Sequence, residues 1–333
     1  MNSKRLFALA LVLLLVFGMA VTASAENAVV LTYAEINPID GTDGDWAKYF
    51  KSQVEELTGG TVTIDIQASG VLGAESDVLD GMISMSGTVD LARVSCYAMN
   101  TYRCNKSALL GLPFIFESRE HFWNFVDSEL GDELKAEPSE AGLGVTALYY
   151  LEDGFRSFFF KNPVSGIDDM KGKKLRVSTD QIMTGLVNGL GASPTVVSFN
   201  ELYTSLQSGV VDGAEQPLAP YESNAFNEVA PYVLLDEHTL ATSYIVIADD
   251  SKMKLSEDQY NALLQAGKAT EAYCREKAAA YDAEVLESLK AKGVTFVEVP
   301  DKTPWREACS DVISQFTSGL EDTYQGILDC ASK

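Results

Sequence analysis

From Leu255 to Gly293 the chain runs without a proline or a turn pair, and that stretch limits the folds open to it. Ser256 and Gln259 form a Ser-x-x-Gln capping box, Gly293 suits a C-terminal stop, and only Gly267 interrupts. A helix of about 36 residues at 1.5 Å per residue spans about 54 Å, longer than one lobe of a chain this size. A single helix lying across two lobes is therefore predicted, with a helical hairpin as the alternative reading.

Length points the same way. Lys4 and Arg5 precede an apolar run from Leu6 to Val21, and Ala23-Ser24-Ala25 supplies a small-residue cleavage pattern, so residues 1–25 read as a cleaved secretory leader. The run is short for a membrane span, which needs about 20 residues. No cysteine follows it, which argues against a lipid anchor. The remaining chain is more than one core usually supports. Without Lys4 and Arg5 the formal net charge moves by two, from −23 to −25. That excess of acid speaks against nucleic acid and anionic lipid as partners, and an anionic ligand needs cations placed locally. The five cysteines, Cys96, Cys104, Cys274, Cys309 and Cys330, are an odd number, so at least one stays unpaired within the chain. Cys96 with Cys104 would close the shortest loop.

The mature chain begins as strand–helix–strand–helix–strand: "AVVLTYAE", "DWAKYFKSQVEELTGG", "TVTIDIQ", "GAESDVLDGMISM", "TVDLARVS". Trp46, Phe50, Val54 and Leu57 recur at helical spacing, and Trp46 reads as helix packing. This order predicts a parallel sheet with right-handed crossovers. After the acidic, Pro- and Gly-bearing stretch 131–144 the grammar restarts with "GVTALYYLED", "FRSFFFKNPV", "KKLRV", a helix from about Gln181 to Leu190, "ASPTVVSF", "NELYTSLQSG" and "VVDGAEQP". The fold class is thus α/β with two lobes and the long helix spanning both. The expected division is 26–152 plus 242–282 for one lobe and 153–241 plus 283–333 for the other.

Nothing asks for catalysis. His121 and His238 are far apart and read as structural, and the motifs of serine hydrolases, metalloproteases, phosphate loops and dinucleotide binding do not occur. No metal or cofactor is called for. Arginines are scarce after the leader, and two of them, Arg176 in "KLRV" and Arg156 in "DGFRSFFF", sit on strand-like apolar runs. Alternation sets Arg176 opposite Leu175 and Val177, away from the lobe core. A guanidinium near low-dielectric walls needs an anion, and its fork matches a carboxylate with two parallel hydrogen bonds. An internal Asp or Glu would serve as well as a ligand, and composition leaves both open.

The ordered set "TGGTVTIDIQASGVLGAESDVLDGM", "LPFIF", "DGFRSFF", "DDMKGKKLRV" and "GASPTVVSFNELYTSLQSGVVDGAEQP" resembles the substrate-binding proteins of tripartite ATP-independent periplasmic (TRAP) transporters over residues 29–300. The resemblance implies a ligand cleft between the two lobes, in which Arg176 bridges a ligand carboxylate, Arg156 assists and Phe199 packs on the ligand, although Phe199 also reads as core. Gln216 stands where the family has Asn in Gly-x-Glu-Asn-Pro, so the amide reaches further. The loop after the first strand (Glu35, Asn37, Asp43) and the end of "LARVS" (Arg93, Ser95) are expected to face the cleft.

The resemblance implies an extracytoplasmic, periplasmic binding protein for a small organic acid, handed to the small and large membrane subunits of a TRAP permease. The polar inventory of the first lobe favours a sugar acid, uronate or aldonate. A C4-dicarboxylate or other monocarboxylate ligand, or a sensing module for a membrane receptor, is the alternative.

Overall fold

The computed structural model of the protein describes residues 28–332, so the expected leader lies outside the described residues. The first half forms as the periodicity predicts. β1 (Val29–Ala34) pairs in parallel with β2 (Val62–Gln67) on one side and with β3 (Leu91–Ser95) on the other. The helix Thr42–Leu57 connects β1 to β2 and buries Trp46, Phe50 and Val54. Trp46 packs 5.5 Å from the Tyr273 ring and 5.4 Å from Tyr281, both on the long helix.

The sheet is not purely parallel. Two long strands, β4 (Val145–Phe160) and β8 (Tyr232–Ala248), run antiparallel to each other through its middle. β3 pairs antiparallel with β8. β7 (Gly213–Gln216) pairs antiparallel with β4, while β5 (Lys174–Val177), β6 (Ser193–Val196) and β9 (Thr295–Glu298) join in parallel. The order is β2-β1-β3-β8-β4-β7-β5-β6, with β9 on β8. β4 reads as two runs in the sequence because Glu152, Asp153 and Gly154 interrupt its apolar residues. It is one strand with register shifts at Ala147/Tyr149, Glu152/Phe155 and Arg156/Phe158. Such bulges bend a strand and re-aim its side chains. β8 escapes a period-2 search because it is buried almost throughout, on both faces.

Two lobes share these strands. The Thr242–Ala248 end of β8 lies between β3 and the Val145–Glu152 end of β4, while the other end of β4 pairs with β7 and the other end of β8 with β9. The helix Glu257–Ala291, 35 residues long, packs on the helix Thr42–Leu57, on β4 and on the helix Leu218–Ser223, touching both lobes. Its capping box is formed: Gln259 N donates to Ser256 Oγ at 3.2 Å and Ser256 N to Gln259 Oε1 at 2.9 Å. Gly267 does not break the helix. A Cβ there would come within 2.6 Å of the Tyr149 ring, so the glycine lets helix and β4 approach.

The stretch 131–144 is a helix, Glu129–Glu140, rather than a break, with Pro138 inside. The Leu134 carbonyl that a residue-138 amide would normally satisfy accepts from Ser107 Oγ at 3.4 Å and Tyr244 Oη at 3.3 Å instead. All five cysteines are buried and free, so the Cys96–Cys104 loop is not closed. Among the described residues no helix is long and apolar enough to cross a membrane.

Candidate functional site

A cavity of about 210 Å³ opens between the lobes at the ends of β1, β3, β5 and β7, where β4 and β8 cross. Arg176 enters its wall from β5. Leu175 and Val177 turn into the core, as alternation requires, and Arg176 faces the cavity at 4 % exposure. Its Nε donates to the Val197 carbonyl at 2.9 Å, and its guanidinium carbon lies 5.8 Å from the centroid of the Phe199 ring. Among the described residues no Asp or Glu pairs with it. Burial pulls its pKa below the ordinary arginine value, with Glu215 and Tyr97 only partly opposing. A buried cation with one backbone acceptor has donors to spare for an anion.

Arg156, also on the wall, is spent differently. Its Nε bonds Glu215 Oε2, and its Nη2 reaches Glu215 Oε1 at 2.8 Å and the Glu215 carbonyl at 3.3 Å. Burial works against the Arg156 charge, but Glu215 more than offsets it and the pKa rises. Glu215 would be raised by burial, yet Arg156 and then His238 hold it down to about 2. His238 is fully buried, with Nδ1 2.7 Å from Asp236 Oδ2 and Nε2 3.6 Å from Glu215 Oε2. Against the cost of burial, Asp236 first and then Glu215 push its pKa up to about 9. His238 is therefore an imidazolium behind the site, tied to it through Glu215. His121 is a core residue, its Nε2 2.7 Å from the Ile327 carbonyl.

Arg93 lines the cavity at the end of β3, but three carboxylates surround it. Its Nε lies 3.0 Å from Glu35 Oε2 and 3.6 Å from Asp43 Oδ1, and its Nη1 lies 3.0 Å from Asp153 Oδ2. Burial raises the carboxyl pKa values of Glu35, Asp43 and Asp153, and Arg93 opposes the rise. Of the residues predicted from sequence, Asn37, Ser95, Phe199 and Gln216 join the three arginines on the cavity wall. Glu35 and Asp43 do not. They are turned to Arg93, because a buried carboxylate is stable only beside such a partner.

Other wall residues were not legible as such. Glu75 opens the helix Glu75–Ile83 and accepts the Ser95 amide. Tyr97 stands in the short 3₁₀ turn after β3, its ring centroid 5.9 Å from the Arg156 guanidinium carbon. Asp153 sits in the β4 irregularity, where an acidic break in an apolar run was the available signal. Asp180 caps the helix Gln181–Gly189 through Met183 N at 2.7 Å, and burial raises its pKa to about 6.

The family model for bacterial extracellular solute-binding proteins, family 7 (DctP), matches residues 33–319. A solute-binding protein of Roseobacter denitrificans is 34% identical over 264 residues, 79% of each chain. A crystal structure of a TRAP periplasmic solute binding protein from the same species, with bound L-galactonate, superposes with a TM-score of 0.84 at 31% identity, covering 90% of this chain and 99% of that one. One from Pseudomonas putida F1, with bound D-glucuronate, gives 0.85 at 26% identity and covers 90% and 96%. Those structures share the two-lobed α/β arrangement found in this chain, and with the match of the family model they make it a DctP-family solute-binding protein of the TRAP type.

Proposed function

We propose that this chain captures a sugar acid, a uronate or an aldonate, in the interlobe cavity and delivers it to the small and large integral membrane subunits of a TRAP permease. The observation that carries this reading is Arg176, a buried guanidinium on the cavity wall with no carboxylate partner among the described residues. A ligand carboxylate takes its free donors, with Phe199 against the ligand, while Asn37, Ser95, Arg93 and Gln216 meet hydroxyls. The bound L-galactonate and D-glucuronate of the two similar proteins support this class of ligand. A C4-dicarboxylate would call for a second uncompensated cation, and Arg156 and Arg93 are already matched by acids.

The protein works outside the cytoplasm, in the periplasm, after its leader (residues 1–25) is cleaved. Its lobes divide at 26–152 plus 242–282 and 153–241 plus 283–333, close to the Glu152/Phe155 register shift in β4. Contacts made only in the closed arrangement bias the hinge when ligand binds.

A thermal-shift screen of sugar acids beside their neutral parent sugars tests the reading. At 100 times its dissociation constant a ligand adds about 2.7 kcal/mol of stability. Acids are expected to raise the melting temperature and neutral sugars to leave it unchanged; equal shifts from both would remove Arg176 from the mechanism.

A further inference from the structure

Asn37 lines the cavity at 2 % exposure and also reaches across the gap between lobes. Its backbone is held by two contacts within its own lobe. Asn37 N donates to Glu35 Oε1 at 2.9 Å, and Ser69 N donates to the Asn37 carbonyl at 2.9 Å. Its side-chain Oδ1 accepts from Asn224 Nδ2 at 3.1 Å. Asn224 ends the helix Leu218–Ser223 of the other lobe and is anchored there, its Nδ2 also donating to Pro220 O at 2.9 Å. Among the described residues Asn37 Nδ2 has no hydrogen-bond partner, and it remains a donor for whatever fills the cavity.

The lobes meet closely around this bond. A Cβ on Gly41 would lie 3.1 Å from Ser223 Cβ, next to Asn224. At a second rim point a Cβ on Gly70 would lie 2.6 Å from Asn200 Oδ1. Glycines at these places leave room for the opposite lobe to seat.

We propose that Asn224 is a positioning residue that latches the closed lobes through Asn37, so that one amide side chain joins ligand contact to closure. Resting on the sugar-acid reading, the inference extends it: Asn37 Nδ2 donates to a ligand hydroxyl while its Oδ1 holds the latch. A bond that forms only on closure slows release and does not speed capture.

The test measures D-glucuronate binding by stopped flow and calorimetry for wild type, Asn37→Ala, Asn224→Ala and the double variant. In parallel, fluorescent labels on cysteines introduced at Glu56 and Ser208, exposed sites on the two lobes, report the interlobe distance with and without ligand. Asn224→Ala is expected to raise the dissociation rate roughly threefold to tenfold, the yield of one hydrogen bond, with the association rate unchanged or raised as the open fraction grows. The double variant should bind no more weakly than Asn37→Ala, because the two act through one bond. The ligand-free distance distribution of Asn224→Ala should move to longer values. Additive losses, a change confined to association, or an unaltered distance distribution would overturn the latch. If wild type takes up no sugar acid, the functional reading fails, and the ligand-free distances still decide the latch.

Discussion

Arg156 and Glu215 are bonded side by side, both buried, and that pairing leaves Arg176 as the cavity cation without a carboxylate of its own among the described residues. Glu215 is shared backward with His238, 3.6 Å away, which in turn holds Asp236. Scarce positive charge in an acidic chain is thus spent unequally. Two wall arginines are matched internally, and Arg176 has no acidic partner among the described residues.

Replacing Arg176 with lysine keeps a charge but removes the fork that meets two carboxylate oxygens. Hydrogen bonds to charged groups contribute about 1.5–3 kcal/mol, so affinity for a sugar acid should fall roughly tenfold to a hundredfold. Titration calorimetry on the variant checks this, and wild-type affinity would show that the fork is unused.

Arg93→Ala should act on stability before it acts on binding. It strands Glu35, Asp43 and Asp153 in a buried cluster, and breaking such pairing costs about 3–5 kcal/mol. The three carboxyl pKa values are already raised, so protonation relieves the repulsion as pH falls. Melting curves at pH 5 and pH 8 should show the smaller loss at pH 5.

His238 makes stability pH-dependent in the same sense, favouring the fold at lower pH. Its folded pKa of about 9 lies above the unfolded value of about 6.5. The stability it contributes is complete below pH 6.5 and is lost as pH rises through 9. Wild type should therefore lose melting temperature between pH 7 and pH 9.5, and His238→Gln should lose less over that interval. Glu215, held to about 2, behaves as a depressed acid: its contribution is present above the ordinary carboxyl pKa and disappears as pH falls toward 2.

Gly267→Ala opposes helix propensity to packing. Alanine is favoured in a helix by about 1 kcal/mol. The added methyl would come within 2.6 Å of the buried Tyr149 ring, and overpacking costs about 1–3 kcal/mol. A lower melting temperature is expected; a higher one would show that helix and β4 have room to separate.

Sequence alone determined the features set by neighbouring residues. Ser256 and Gln259 start the long helix, Trp46, Phe50 and Val54 mark a buried helical face, and the alternation of Leu175, Arg176 and Val177 turns one guanidinium out of the core. Each depends on periods of two or about 3.6 residues, which a linear reading contains. The antiparallel crossing of β4 and β8 was decided by the tertiary structure, because strands buried on both faces lose their alternation and pair with residues far along the chain. The fate of each arginine was decided there too. Whether a cation is spent on Glu215, on Glu35 and Asp153, or left without an acid depends on distances between segments some sixty residues apart, set only once the lobes are packed.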